Sequence, residues 1–144
     1  MTARILNGTD LANQIKGEVA AHVQRLAAEG IRPGLAAVLV GDDPASEVYV
    51  RNKVKSCEAL GLHGETIVRP ASSTTAELLE IVHELNARED IDGILVQLPL
   101  PAPVDTRAVL LAMSPEKDVD GFHPMNVGRL STKMPALLPA EPLA

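Results

Sequence analysis

The sequence predicts an α/β fold, a three-layer sandwich in which a mainly parallel sheet is flanked by helices. Helical and strand patterns alternate along the chain, and the clearest strands are continuous apolar runs, which is typical of parallel sheets covered on both faces. The chain has 144 residues, 46% of them hydrophobic, so it can bury the core of one domain. Because ligands of such sheets bind at the carboxyl ends of the strands, we expect a site on the loops and helices that follow those ends.

The first two helices are predicted from helical spacing and from capping residues. The first follows Asn7 and repeats apolar residues at helical spacing until Gly30, a natural terminator. The second begins at Asp43, a capping residue, with Pro44 in the first turn, and ends at Gly61. Both helices precede or follow a strand pattern, as a sheet with helical crossovers requires.

The second half of the chain continues the alternation. Thr74 and Glu77 have the spacing of a capping box ahead of a third helix. A short helix is predicted over residues 105–113, and the chain reads as a loop from Ser114 onward. The predicted strands are residues 35–40, 64–68 and 92–98, of which the last is the clearest and the second the weakest.

Composition excludes several classes of function. A net charge of -6 without a basic run argues against nucleic acid or an anionic membrane as the principal partner. The longest apolar run, residues 35–40, is far shorter than the ~20 residues that span a bilayer. Cys57 is the one cysteine, so no internal disulfide is predicted, and the amino-terminal residues lack a targeting pattern; we expect a cytoplasmic protein. The four histidines lack metal-ligand spacing, so we expect no metal.

Three short stretches carry the polar groups of a small-molecule site. In YVRNK, Tyr49 stands one helical turn before Lys53, so both side chains share a helix face. In GILVQLPLP, Gln97 ends an apolar strand, and in PEKDVDGFHP, Asp118 and Asp120 lie in a loop bounded by glycine and proline. The layout predicts that these groups face one rim of the sheet.

Each of these residues also has a structural interpretation. Lys53 is either a solvated lysine paired with an acid such as Glu47 or Glu58, or a partly buried acid, base or electrostatic catalyst. Tyr49, the only tyrosine, either packs its ring in the core or offers a flat face to a heteroaromatic ring. Cys57 is expected to pack as a small apolar side chain.

Gln97 at the strand end and the two loop carboxylates also have two interpretations each. Gln97 either hydrogen-bonds neighbouring backbone or belongs to the site. Asp118 and Asp120 either cap and close a turn before Gly121, or one of them accepts hydrogen bonds from an amino-substituted ring. The GDDP turn at residues 41–44 is not a phosphate-binding loop, because it lacks repeated glycines and places acids where an anion would lie.

Taken together, the three stretches resemble the bifunctional methylenetetrahydrofolate dehydrogenase/methenyltetrahydrofolate cyclohydrolase family, from about residue 5 to residue 130. The resemblance implies an aminoacid dehydrogenase-like N-terminal domain that acts in one-carbon metabolism and purine biosynthesis. It implies oxidation of methylene-tetrahydrofolate to methenyl-tetrahydrofolate by NADP, and then hydrolysis to formyl-tetrahydrofolate. It also implies a homodimer in the intact protein.

The resemblance assigns roles residue by residue. It makes Lys53 the central catalytic group, Tyr49 a part of the folate site, and Gln97 the residue that adjusts the lysine. It makes Asp120 the acid that holds the pterin ring, and it places Pro99 among the substrate-binding residues.

The end of the sequence departs from the family pattern, in which a Pro-Cys-Thr-Pro motif and a glycine lead into the nucleotide-binding domain. Pro139 and Pro142 match, whereas Ala140 and Glu141 replace Cys-Thr and Ala144 takes the place of the glycine. We therefore expect residues 1–144 to be the catalytic domain, truncated at a junction over about residues 115–144, with the NADP-binding Rossmann domain outside this chain. Two hypotheses follow: the folate-binding half of the enzyme, or a non-catalytic folate-binding or dimerising remnant of it.

Overall fold

A computed structural model of the chain describes residues 7–135. The predicted junction residues Pro139 to Ala144 lie outside that part of the chain. Within it, none of the helices is long and apolar enough to cross a membrane. The elements in order are α1 (Gly8–Ala28), β1 (Gly34–Val40), α2 (Pro44–Ala59), β2 (His63–Arg69), α3 (Thr75–Ala87), β3 (Gly93–Val96), α4 (Thr106–Ala112) and α5 (Pro124–Ser131).

The three strands form a parallel sheet in the order β2-β1-β3, which confirms the predicted α/β class. Alternate residues of a strand face opposite sides, and β1, the central strand, is buried on both. On one side Ala36 and Val38 pack in a core with residues of α3 and α4 such as Leu78. On the other side Ala37 and Leu39 pack against α2. The sheet is therefore the middle of three layers, as predicted.

The helix starts match the predicted caps. Asp43 accepts a hydrogen bond from the backbone N–H of Ser46 at 2.8 Å, with Pro44 in the first turn of α2. Thr74 and Glu77 form the reciprocal capping box that opens α3. These local hydrogen bonds satisfy N–H groups that a helix start otherwise leaves without partners.

Two predicted boundaries were wrong. The third strand is shorter than residues 92–98, since β3 ends before Gln97. The region after Ser114 contains α5, where a loop was predicted. Helix α5 starts on His123, whose Nδ1 accepts the Met125 N–H at 3.1 Å, and has Pro124 in its first turn. It was missed because only Asn126 in it is buried, so no apolar stripe marks it.

The apolar stripe of α1 correctly predicts a helix, but it does not face the core of the described residues. Val23 is its buried member, whereas Leu11 is 57% exposed and Ile15 50% exposed. Helical periodicity therefore identified the element without identifying what the stripe packs against.

Two contacts fix the start of the sheet. A Cβ added to Gly34 would overlap the carbonyl oxygen of Asp90, so the loop before β3 closes onto β1 at a position that admits only glycine. Arg88, at the end of α3, forms a two-pronged ion pair with Glu65 of β2, with Nη1 to Oε1 at 2.6 Å. Arg88 also donates to Asp90, and this interaction lowers the pKa of Asp90 from 3.8 to about 2.

Candidate active site

A cleft of about 900 Å³ opens between α2 and the loop at residues 118–120. Its floor is formed by residues of β1 and β3, including Leu35 and Leu95, and α1 contributes one side. The lining is largely apolar with a few polar groups, which is the usual character of a small-molecule site. Tyr49, Lys53 and Asp120, three residues predicted for the site, all line it.

Lys53 lies at the centre of these groups. Its Nζ is 3.6 Å from Asp120 Oδ1 and 4.7 Å from the centroid of the Tyr49 ring. The two charged side chains are 28% and 20% exposed, respectively, so each is shielded from water on most sides. The ion pair is thus made across the cleft, and not with Glu47 or Glu58 on the same helix.

The tyrosine ring is partly exposed at the cleft. Its side chain is not packed in the core: Tyr49 is 47% exposed at the edge of the cleft. Helix α2 presents Tyr49 and Lys53 on one face because they are four residues apart. An aromatic ring and an ammonium group therefore face the same cleft.

The two loop carboxylates have different surroundings. Asp118 is 1% exposed and accepts hydrogen bonds from the N–H groups of His123, at 2.8 Å, and Phe122, at 3.3 Å. It also accepts from Asn126 Nδ2 at 3.0 Å. Asp118 therefore closes the turn into α5, whereas Asp120 faces Lys53, and a hydrogen bond from Asp120 to an amino-substituted ring stays a prediction.

Gln97 and Pro99 do not line the cleft as it stands. Gln97 directly follows β3, and its Nε2 donates to the carbonyl oxygen of Leu98 at 2.9 Å. Its participation, and that of Pro99, remains a prediction.

The predicted location of the site, at the carboxyl ends of the strands, differs from the location of the cleft. Gly34 and Gly93, at the amino-terminal starts of their strands, line the cleft. Lys53 lies roughly 13 Å along α2 at 1.5 Å per residue, so the helix carries it back from the carboxyl end of β1.

Several cleft residues were not found from the sequence as site residues. Asn52 and Ser56 line it beside Tyr49 and Lys53, and Lys16 reaches it from α1. Asn52 and Ser56 could have been predicted from helical spacing, because positions 49, 52, 53 and 56 form one stripe of a helix. The sequence does not predict Lys16 as a cleft residue, because its position depends on how α1 packs.

Cys57 also lines the cleft and is half-buried. Burial raises the pKa of its thiol, and the charge of Glu58 raises it further. Both effects favour the neutral thiol, which is a poor nucleophile. This environment agrees with the prediction that Cys57 packs as a small side chain.

The helix starts in residues 7–135 are poor candidates for holding the phosphates of a dinucleotide. Phosphates bind the N–H groups of a helix start, and at each of the five helix starts in residues 7–135 a capping side chain already accepts from one of these groups. At α2 the hydrogen bonds from Ser46 lower the pKa of Asp43, so a phosphate would meet a negative charge there. The capping residues are Asn7, Asp43, Thr74, Asp105 and His123. No group of three or more potential metal-ligating side chains converges within residues 7–135.

Comparisons with known proteins show which family the chain is similar to. The sequence profile of the tetrahydrofolate dehydrogenase/cyclohydrolase catalytic domain matches residues 6–120. The bifunctional protein FolD of Koribacter versatilis is 61% identical over 99% of this chain and 46% of its own length. That of Bordetella bronchiseptica is 56% identical over 99% of this chain and 50% of its own length.

Solved structures show the same relationship. A 5,10-methylenetetrahydrofolate dehydrogenase from the silkworm Bombyx mori superposes with a TM-score of 0.92 at 44% identity, covering 96% of this chain and 48% of that one. A Trypanosoma brucei dehydrogenase-cyclohydrolase, solved with NADP and an inhibitor, has a TM-score of 0.86 at 38% identity, covering 90% and 45%. The chain spans about half the length of these relatives. It belongs to the tetrahydrofolate dehydrogenase/cyclohydrolase family, and the part that matches is the catalytic domain.

Proposed function

We propose that this domain binds reduced folates and catalyses the hydrolysis of methenyl-tetrahydrofolate to formyl-tetrahydrofolate. The observation that carries the proposal is the position of Lys53 between the Asp120 carboxylate and the Tyr49 ring in one largely apolar cleft. An aromatic surface, a carboxylate and an amine are the three groups that an amino-substituted, one-carbon-carrying ring system requires.

Each residue has a defined part in the proposed reaction. Asp120 accepts N–H hydrogen bonds from the amino-substituted pterin ring, and Tyr49 stacks against an aromatic ring of the folate. Water adds to the methenyl carbon and gives up a proton. One carbon–nitrogen bond then breaks as its nitrogen takes up a proton, which leaves the formyl group. Lys53 is the group within reach to hold or move that proton.

The role proposed for Gln97 depends on a change of its side-chain orientation when folate binds. Its amide now donates to the Leu98 carbonyl, beside the strand end. We propose that the amide turns toward Lys53 when folate binds and orients the amine, with Pro99 against the substrate. A hydrogen bond between an amide oxygen and the ammonium group would favour one orientation of the lysine.

For the oxidation step, we propose that the intact protein also acts as a methylenetetrahydrofolate dehydrogenase with NADP as the hydride acceptor. The support is the family membership and the NADP in the Trypanosoma brucei relative. Because the helix starts in residues 7–135 are poor phosphate sites, we propose that a separate Rossmann domain beyond the described part holds the cofactor. That domain would form the opposite wall of the cleft.

The remaining features of the proposal concern the cellular setting. We propose a homodimer in the cytoplasm, with folate derivatives as ligands and neither nucleic acid nor membrane as a partner. The net charge of -6 and the single cysteine support this setting. Sedimentation analysis of the intact protein tests the dimer, which a monomer at micromolar concentration would contradict.

Calorimetric titration with 5-formyl-tetrahydrofolate tests folate binding, and the loss of methenyl absorbance tests hydrolysis. Asp120→Asn should weaken binding by about 10-fold to 10²-fold, since a hydrogen bond to a charged group contributes about 1.5–3 kcal/mol. Asp42→Asn, at an exposed turn outside the cleft, is the matched control. Absence of folate binding by the unmodified chain would reject the proposal, and binding without hydrolysis would favour the non-catalytic remnant.

A further inference from the structure

We propose that Asp118 and Gly93 are positioning residues that hold Asp120 opposite Lys53. Neither makes the ion pair itself: Asp118 is buried and Gly93 has no side chain. The geometric part of this inference is independent of the ligand. Its consequence for folate binding rests on the function proposed above.

The loop that carries Asp120 is attached to the sheet at one point. The N–H of Ile94, in β3, donates to the Lys117 carbonyl at 2.6 Å, and Asp118 forms a parallel bridge with Ile94. Lys117 Nζ in turn donates to the carbonyl oxygens of Leu85 and Arg88, at 3.2 and 2.6 Å, at the end of α3. The residue before Asp118 is therefore fixed to both the sheet and a helix.

Asp118 fixes the other side of the loop. Its carboxyl group accepts from two backbone N–H groups at the entry to α5 and from Asn126. Asn126 also donates to the Pro115 carbonyl at 2.8 Å, so the chain before and after the loop is held by one buried cluster. Hydrogen bonds that the buried Asp118 carboxylate accepts therefore help to close the turn that exposes Asp120 to the cleft.

Gly93 provides the space for this attachment. A Cβ at position 93 would lie 2.6 Å from Val119 Cγ1 and 3.2 Å from Leu35 Cδ1. The first distance is too short for two carbon atoms, so any larger residue must displace Val119. Val119 directly precedes Asp120, and its displacement would move the carboxylate away from Lys53. The glycine is required here for close approach, not for a positive φ.

A shift of this kind affects function through geometry. The ion-pair distance is 3.6 Å, at the upper end of direct contact, so a displacement of about 1 Å breaks it. Misplacement of a reacting group by about 1 Å can reduce a rate by about 10²-fold. The residues that set the loop are therefore expected to control the site without touching a ligand.

Carbodiimide cross-linking measures how close the Asp120 carboxylate lies to the Lys53 amine. The reagent activates the Asp120 carboxyl group, the Lys53 amine attacks it, and an amide forms with loss of a urea. The joined peptides are quantified by mass spectrometry. We expect Asp118→Asn and Gly93→Ala to lower the yield by roughly 10-fold to 10²-fold. Gly17→Ala is the control, because nothing lies within 4 Å of a Cβ at that position.

A second-site substitution separates positioning from general destabilisation. Val119→Ala removes the methyl group that a new Cβ would meet, so Gly93→Ala/Val119→Ala should regain most of the cross-linking that Gly93→Ala loses. Circular dichroism establishes that each variant is folded at the assay temperature. A Gly93→Ala variant that is folded and cross-links as the unmodified chain does would overturn the inference, as would failure of the rescue.

The folate measurement then separates this inference from the proposed function. In an Asp120→Asn background, Asp118→Asn should cause no further loss of 5-formyl-tetrahydrofolate affinity, because both act through one group. An additive loss would show that Asp118 does not act through Asp120. If cross-linking responds as expected but the unmodified chain binds no folate, the proposed function fails and the positioning role stands.

Discussion

Replacement of Lys53 by methionine should separate catalysis from stability. At 3.6 Å the pair with Asp120 has a gross Coulomb energy of about 5 kcal/mol at an effective dielectric constant of about 20. Both side chains remain partly exposed, and pairs of this kind contribute only about 0–1 kcal/mol net. The contact with the Tyr49 ring adds about 0.5–1 kcal/mol, and methionine keeps most of the side-chain volume. The variant should thus lose no more than about 2 kcal/mol of unfolding free energy.

The expected effect on hydrolysis is larger. A positioned acid or base contributes about 10²–10⁴-fold, which corresponds to about 2.7–5.5 kcal/mol of activation free energy. Because a domain is usually stable by about 5–15 kcal/mol, the variant should remain folded while its turnover falls. Folate affinity should change little in comparison, since Asp120 and Tyr49 keep their contacts with the ring system.

The assay follows the loss of methenyl-tetrahydrofolate absorbance, with chemical denaturation measured on the same samples. Lys55→Met is the matched control, because Lys55 is an exposed lysine on the same helix that does not line the cleft. Unchanged hydrolysis in Lys53→Met, or an equal loss in Lys55→Met, would refute the catalytic assignment of Lys53. A loss of activity that only matches a loss of folded protein would also refute it.

Three further predictions test the fold and the division of function. Gly34→Ala should lower the free energy of unfolding by about 1–3 kcal/mol or more, because the new methyl group would overlap a backbone carbonyl. Gly17→Ala, at an open helical position, should instead raise it by about 0.5–1 kcal/mol. Denaturant titration measures both changes, and equal effects would contradict the packing argument. Arg88 lowers the pKa of Asp90 from 3.8 to about 2, so the stability that the ionised carboxylate contributes is present above about pH 4 and is lost as the pH falls toward 2. The difference in thermal midpoint between the unmodified chain and Asp90→Asn should therefore shrink over that range. A constant difference would show that the ion pair is not the cause. The 144-residue chain supplied with methylene-tetrahydrofolate and NADP should not reduce the cofactor above the buffer rate, and reduction that Lys53→Met abolishes would refute the separation of the two steps.

The sequence by itself determined most of the elements and identified Tyr49 and Lys53 as residues on one helix face. Helix starts at Asp43 and Thr74 were predictable because a cap is a hydrogen bond between residues three apart. The pairing of Tyr49 with Lys53 on one face follows from helical geometry alone. The family resemblance, confirmed by the comparisons, added Asp120 to this set.

The tertiary structure decided which of these residues meet. Asp118 and Asp120 are two residues apart in the same motif, yet one is buried in a turn and the other faces Lys53, because the loop bridges to β3 at Asp118. The location of the cleft at the strand starts, and the requirement for glycine at position 93, depend on distances between segments far apart in the chain. Local patterns encode hydrogen bonds and faces over a few residues, whereas a contact across the sheet depends on how whole elements pack, and only the folded chain specifies that.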